Sequence, residues 1–225
     1  MPAAAFFDID GTLTSDNVWK GLIQFFQQRG ERRGTYLLFS LVHYPIYFVR
    51  PLIGEAQFRR QWAAHLPWFF RGYTELQMNE LARWVAHDYV AHHVRRDIFA
   101  RLQTHLAQGE VVALVSAAPQ PIVSAIAQLW GVPHGLGSPA EFKNGRYTGG
   151  MAGEPCLDAY KARYAKQYLA QRNLMVDFAA SHAYADSYAD LGLFDMVGHP
   201  VAVYPDEKLA AHAKARGWEI VANEH

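Results

Sequence analysis

Asp8-Ile9-Asp10-Gly11-Thr12-Leu13-Thr14 is the segment whose residue types and spacing can do chemistry. Carboxylates so placed repel each other unless a cation or a proton comes between them. Taken alone, Asp-x-Asp also fits a turn or a helix cap. The setting separates these readings. The apolar run AAFF stops at the first acid, as a buried strand does when it delivers a residue to its C-terminal edge. Three later positions offer complementary groups: Ser116 at the end of the β-branched run VVALVS, Lys161 in a helical stretch, and Asp186-Ser187-Tyr188-Ala189-Asp190 after another short apolar run.

The elements that must position these groups are legible in outline. Strands are expected at 4–8, 111–116, 181–185 and 201–204, with a last one at GWEIVA. Helices are expected at PIVSAIAQLW, closed by Gly131, at about 157–172 and near 206–216. Asn144-Gly145 between extended arms predicts a hairpin, because both turn residues must accept positive φ. Residues 17 to about 108 follow a helical pattern, with Pro45, Pro51 and Pro67 each expected to end or bend a helix. Alternating strands and helices predict an α/β fold, a doubly wound and mostly parallel sheet covered on both faces. The helical block is too long for a simple crossover. Residues 1–16 and 91–225 are therefore read as the core, and 17–90 as an inserted all-helical cap.

In order and spacing, DIDGTLT, Ser116, Lys161 and DSYAD resemble the four motifs of the haloacid dehalogenase-like hydrolases. The resemblance covers nearly the whole chain. It is nearest to the phosphoserine-phosphatase-like branch (subfamily IB), whose helical C1-type cap lies between the first two motifs. It implies a Rossmann-like sheet with the first strand between the second and fourth, so that Asp8, Ser116 and Asp186 end neighbouring strands. It also implies phosphate monoester hydrolysis through an aspartyl phosphate. Asp8 is then the nucleophile and Asp10 the general acid and base, while Thr12, Ser116, Ala117 and Lys161 bind phosphate. Magnesium would be held by Asp8, the backbone carbonyl of Asp10, Asp186 and, directly or through water, Asp190. Charge agrees with those roles, since a hard cation and Lys161 offset acids that must meet a phosphate dianion. Asn17 stands where that branch carries an acidic cap residue, Ala117-Ala118 where it carries glycines, and Ala189 where it carries asparagine. These departures point away from phosphoserine itself.

Composition narrows the remaining classes. A formal net charge of +0 over 225 residues shows no basic surplus for a nucleic-acid partner. Paired arginines at 32–33, 59–60 and 95–96 read as solvated helix faces. A single cysteine, Cys156, excludes an intrachain disulfide and a cysteine zinc site, and it reads as inert. The N-terminal residues lack the pattern of a signal peptide, so a cytoplasmic location is expected. The apolar run 35–49, interrupted by His43 and Pro45, is shorter than the ~20 residues of a bilayer span, and a buried or cap-forming helix is expected there. His87, His92 and His93 lack metal-ligand spacing, and Trp62, Trp68, Phe69, Phe70 and Tyr73 read as core packing in preference to a substrate wall. The leading expectation is a phosphatase of a small phosphorylated metabolite, phosphoserine- or histidinol-phosphate-like. The alternatives are a lipid-phosphate phosphatase whose cap touches the membrane, a phosphotransferase, and an inactive binding module on the same fold.

Overall fold

A computed structural model describes residues 1–222. Strand β1 (Ala4–Phe7) is wholly buried and pairs in parallel with β2 (Val111–Pro119) and β6 (His182–Ala185). With β3 (His134–Ser138), β7 (His199–Val203) and β8 (Glu219–Val221) they form a parallel sheet in the order β3-β2-β1-β6-β7-β8. Side chains alternate along a strand, so Phe6 and Phe7 enter different cores on the two faces. Helices α5 (Arg96–Ala107) and α6 (Gln120–Leu129) belong to one layer, α7 (Ala159–Gln171), the short α8 (Leu191–Phe194) and α9 (Glu207–Arg216) to the other. Such two-sided cover is what continuous apolar strands require.

Between β1 and α5 lie only helices and turns: α1 (Val18–Arg29), α2 (Arg33–Ile53), α3 (Glu55–His65), a 3-10 turn Leu66–Phe70, α4 (Glu75–Trp84), a π turn Val85–Tyr89 and a second 3-10 turn Val90–His93. The hairpin of β4 (Ala140–Lys143) and β5 (Arg146–Met151) joins this insertion to the sheet domain. Tyr147 N–H donates to Tyr73 O at 2.9 Å, and Gly72 N–H donates to Tyr147 O at 2.7 Å. Its turn has φ of 50° at Asn144 and 75° at Gly145, the positive pair expected.

Several expectations need correction. Residues 111–119 stay extended past Ser116, with a register shift after Val115, so Ser116 sits at a break in the ladder and not at the strand's end. Pro67 does end a helix, but α2 runs through Pro45 and Pro51. The carbonyls those prolines leave without a helical donor belong to Leu41 and Tyr47, both exposed, where water can satisfy them. The helix is consequently 21 residues long, enough by length and composition to cross a membrane, and of the two forms expected, buried or cap-forming, the buried one is not found: Phe39 and His43 are its only buried residues. Of the arginine pairs, Arg33, Arg60 and Arg96 are exposed as expected, while Arg32, Arg59 and Arg95 are half-buried. Arg59 binds Asp158, and the Arg95 guanidinium lies 3.9 Å from the Tyr204 ring centroid.

Candidate active site

Register brings the chemistry together. Phe7 pairs with Leu114 on one side and Tyr184 on the other, so Asp8, Ser116 and Asp186 all fall just past the same level of the sheet. Ligands of open α/β sheets bind beyond this edge, where the strand order reverses. Asp8 N–H donates to Tyr184 O at 2.9 Å, which anchors the first acid to the neighbouring strand. The chain then turns on itself: Thr12 and Thr14 N–H groups both donate to Ile9 O, and Thr14 Oγ1 donates there too at 2.9 Å. Gly11 takes φ 76° in this turn, and a Cβ there would lie 2.1 Å from Asp186 Oδ2. Only glycine permits both that backbone and that approach.

Lys161 reaches the acids from the other direction. On α7, Lys161, Ala165 and Leu169 are the buried residues, one stripe at four-residue spacing, so the helix places the lysine stem in the core and its head at the strand ends. Lys161 Nζ donates to Asp8 Oδ1 at 2.6 Å and to the Asp190 carboxylate at 2.9 Å. Thr12 Oγ1 lies 3.4 Å from Asp8 Oδ2 and 3.5 Å from Asp186 Oδ1. Carboxylate oxygens of Asp8, Asp186 and Asp190 lie within 4.8 Å of one another. Three carboxylate donors so close, against one ammonium, suit a hard divalent cation. The Asp10 side chain is not in this group: it accepts from Val18 N–H and lies 3.5 Å from Ser116 Oγ.

Electrostatics follow from burial. Asp10 is pushed up to about 7 by burial and by the neighbouring Asp8 charge, more than its hydrogen bond from Val18 and the Lys161 charge can offset. Asp186 and Asp190 are also raised, burial being the largest cause for each; Asp8 adds to both, while Lys161 opposes. For Lys161, burial disfavours the ammonium, but Asp190 and Asp8 outweigh it and hold the group charged.

Above these groups opens a cavity of about 590 Å³. Asp8, Asp10, Ala117, Lys161, Asp186 and Asp190 line it, whereas Thr12 and Ser116 are buried behind its wall. Asn17 is in the lining, where the resemblance marks an acid as missing. The rest of the wall is largely apolar, including Trp19, Leu22, Phe58, Trp62, Ile122 and Leu157. The aromatic cluster therefore divides: Phe69, Phe70 and Tyr73 are core, but Trp62 faces the cavity. Sequence reasoning also missed Arg59 and Asp158, which join α3 to the start of α7 at 2.8 Å across the cavity. Neither has a motif around it. Asp158 has φ 51°, and its Oδ2 is buried without a hydrogen-bond partner.

Two other expectations concern histidine and cysteine. His87, His92 and His93 form no donor group among the described residues, but His105, Glu110 and His182 do, at the opposite end of the sheet. There His105 Nδ1 is 2.6 Å from Glu110 and Nε2 is 2.9 Å from Tyr184 OH, so hydrogen bonds already occupy both its nitrogens. Burial pushes the Cys156 thiol up to about 12, which leaves it unreactive.

Comparison with known proteins places the chain. The family model of the haloacid dehalogenase-like hydrolases matches residues 5–195. A histidinol-phosphatase of Neisseria meningitidis is 30% identical over 151 residues, 66% of this chain and 68% of that one. Phosphoserine phosphatase SerB1 of Mycobacterium tuberculosis is 29% identical over 228 residues, 98% of this chain and 70% of its own length. Among solved structures, a Bordetella pertussis protein of unknown function superposes with TM-score 0.83 at 27% identity, covering 99% of both chains. A substrate-bound phosphoserine phosphatase shares the fold at TM-score 0.64 and 14% identity, over 99% of this chain and 94% of that one. With the motif residues gathered at one strand edge and the family model spanning most of the sequence, the chain belongs to the haloacid dehalogenase-like hydrolases.

Proposed function

We propose that the chain is a magnesium-dependent phosphatase acting through an aspartyl phosphate on Asp8, with residues 17–90 as the cap over its site. The enzyme is a phosphoric monoester hydrolase, as the relatives named for histidinol phosphate and phosphoserine are. The observation that carries the mechanism is the meeting of Asp8, Asp186, Asp190 and Lys161 at the floor of one cavity.

The donor set fits the cation, because all its members are oxygens and the excess of acids over ammonium leaves charge to be balanced. Asp8, Asp186, the Asp10 carbonyl and, directly or through water, Asp190 would hold a magnesium ion, which supplies positive charge to the phosphate oxygens when bound. Lys161 adds a fixed positive charge beside Asp8 and keeps that carboxylate aimed. An Asp8 oxygen attacks phosphorus, forming the acyl-phosphate bond as the ester oxygen departs. Asp10, protonated near neutral pH, gives its proton to the departing alkoxide, then takes one from the water that cleaves the intermediate. Thr12 orients the Asp8 and Asp186 carboxylates from behind the wall. Ser116 supports the Asp10 side and the irregular part of β2, where Ala118 N–H donates to Ser116 Oγ at 3.1 Å.

For the alcohol, one reading is a small phosphorylated amino acid or amino alcohol, as the relatives' names suggest. Asn17, in the cavity lining, offers an amide oxygen to its ammonium. The second reading, a phosphate ester of an apolar alcohol, is favoured by the rings and aliphatic side chains of the remaining wall. Either way, Asp8→Asn should abolish hydrolysis of an aryl phosphate, a loss of at least about 10³-fold, while calorimetry still registers magnesium binding. Hydrolysis persisting in that variant would reject Asp8 as nucleophile.

A further inference from the structure

Helix α2 carries apolar side chains outward as well as inward. Soluble helices bury their apolar stripe and expose the polar one. Here Phe39, Val42, Ile46 and Ile53 are buried or half-buried beside Thr35, Ser40, His43 and Arg50, yet a second apolar face is left outside: Leu41 is 64% exposed, Tyr44 68%, Phe48 64% and Leu52 87%. Leu37 and Leu38 extend the same surface. Among the described residues α2 packs chiefly on α3 and the 3-10 turn after it, which leaves that surface uncovered. An apolar face of this kind marks a docking site.

Charge selects the occupant. No Asp or Glu occurs from Arg33 to Ile53, and Arg32, Arg33 and Arg50 bracket the apolar stretch. An acid-free apolar face with three arginines at its ends, against Glu31 and Glu55 just beyond them, matches an anionic lipid surface. Two copies of the helix face to face would bring like charges together. A span across the bilayer is disfavoured by Ser40, His43 and Arg50 and by the contact with α3; lying in the interface accommodates all of them. The surface also continues into the catalytic cavity. Tyr47 of α2 and Phe58 of α3 both line it, their ring centroids 6.1 Å apart, and beyond them the apolar wall leads to Asp8.

We propose that α2 is an interfacial anchor seating this hydrolase on an anionic bilayer, so that the cavity receives a membrane-resident phosphate monoester with a hydrocarbon tail. The proposal rests on the phosphatase reading above and names its substrate class.

The test uses the full chain with magnesium. Flotation with phosphatidylcholine vesicles holding about one-fifth phosphatidylglycerol should carry at least about tenfold more protein than phosphatidylcholine alone at low salt. Leu41→Glu and Phe48→Glu, at exposed positions outside the cavity lining, should cut that association about tenfold and leave aryl phosphate hydrolysis unchanged. With the vesicles present, kcat/KM for dodecyl phosphate should exceed that for ethyl phosphate by about 100-fold or more. A chain that hydrolyses aryl phosphate but does not float overturns the anchor while the phosphatase reading stands. A dimer dissolved by Leu41→Glu overturns it in favour of a second copy, and equal kcat/KM for the two alkyl phosphates overturns the substrate class. A chain that floats but hydrolyses none of these esters overturns the phosphatase reading itself.

Discussion

At the scale of single residues, Asp10 shows how one side chain's environment decides its role. Its carboxyl shares a buried site with Asp8, and both burial and that charge favour the protonated form up to about pH 7. Asp186 and Asp190 are shifted in the same direction. Raised folded-state values have a defined consequence for stability. Between the ordinary carboxylate range and the raised values, these acids bind more protons in the folded metal-free protein than in the unfolded chain, so their contribution to stability falls as pH rises through that window. The melting temperature of metal-free protein is therefore expected to decline from about pH 7 to about pH 8. That lies above the range in which His43, His65, His134 and His182, whose pKa values burial lowers, add stability as pH rises. Added magnesium, binding only the folded site, should raise the curve most at the alkaline end. A metal-free melting temperature that climbs over this range, or an alkaline end indifferent to magnesium, would show that these acids are not crowded as described. Gly11 and Asp186 make the same point sterically: the turn and the carboxylate occupy space that any side chain would contest.

At the scale of elements, the site depends on how the helical insertion is held over the strand ends. The Arg59–Asp158 pair ties α3 to the start of α7, and Arg59 is 40% exposed. A pair in that position contributes little to folding, at most about 1 kcal/mol. Its value is positional, since both residues line the cavity. Arg59→Ala is accordingly expected to lower kcat/KM by roughly tenfold with little change in melting temperature, measured by steady-state kinetics beside a thermal scan. A variant that lost stability and activity in parallel would assign the pair a structural role. Helix α2 offers the complementary case of an element whose extent local rules misjudge. Prolines that would break a buried helix are accommodated where the freed carbonyls of Leu41 and Tyr47 meet solvent.

For the whole molecule, the sheet is the rigid part and both its faces are sealed. Phe6 and Phe7 belong to separate cores, each fully buried. Phe6→Ala would leave a cavity in one core and is expected to cost about 3–5 kcal/mol, read from denaturant unfolding. Such a loss approaches the total stability of many domains, so failure to purify folded protein would agree with it, and a shift below about 1 kcal/mol would not. The insertion and the hairpin at Asn144-Gly145 lean on one another through the strand-like bonds of Tyr73 and Tyr147. Segments far apart in sequence thus hold the insertion against the sheet domain.

What the sequence determined by itself was the local chemistry: an apolar run ending at Asp8, a turn built on Gly11, a hairpin at Asn144-Gly145, and a lysine, Lys161, in a helical stretch. These follow from short-range rules, because backbone conformation and side-chain periodicity are set within a few residues. The strand order, with β1 between β2 and β6, could be stated only through family resemblance, and pairing is a contact between distant segments. Three features needed tertiary structure outright: the Arg59–Asp158 link, the turning of Trp62 into the cavity, and the outward apolar face of α2. Hydrophobic periodicity reports which side of a helix is apolar, but only packed neighbours decide whether that side faces the core or the surroundings.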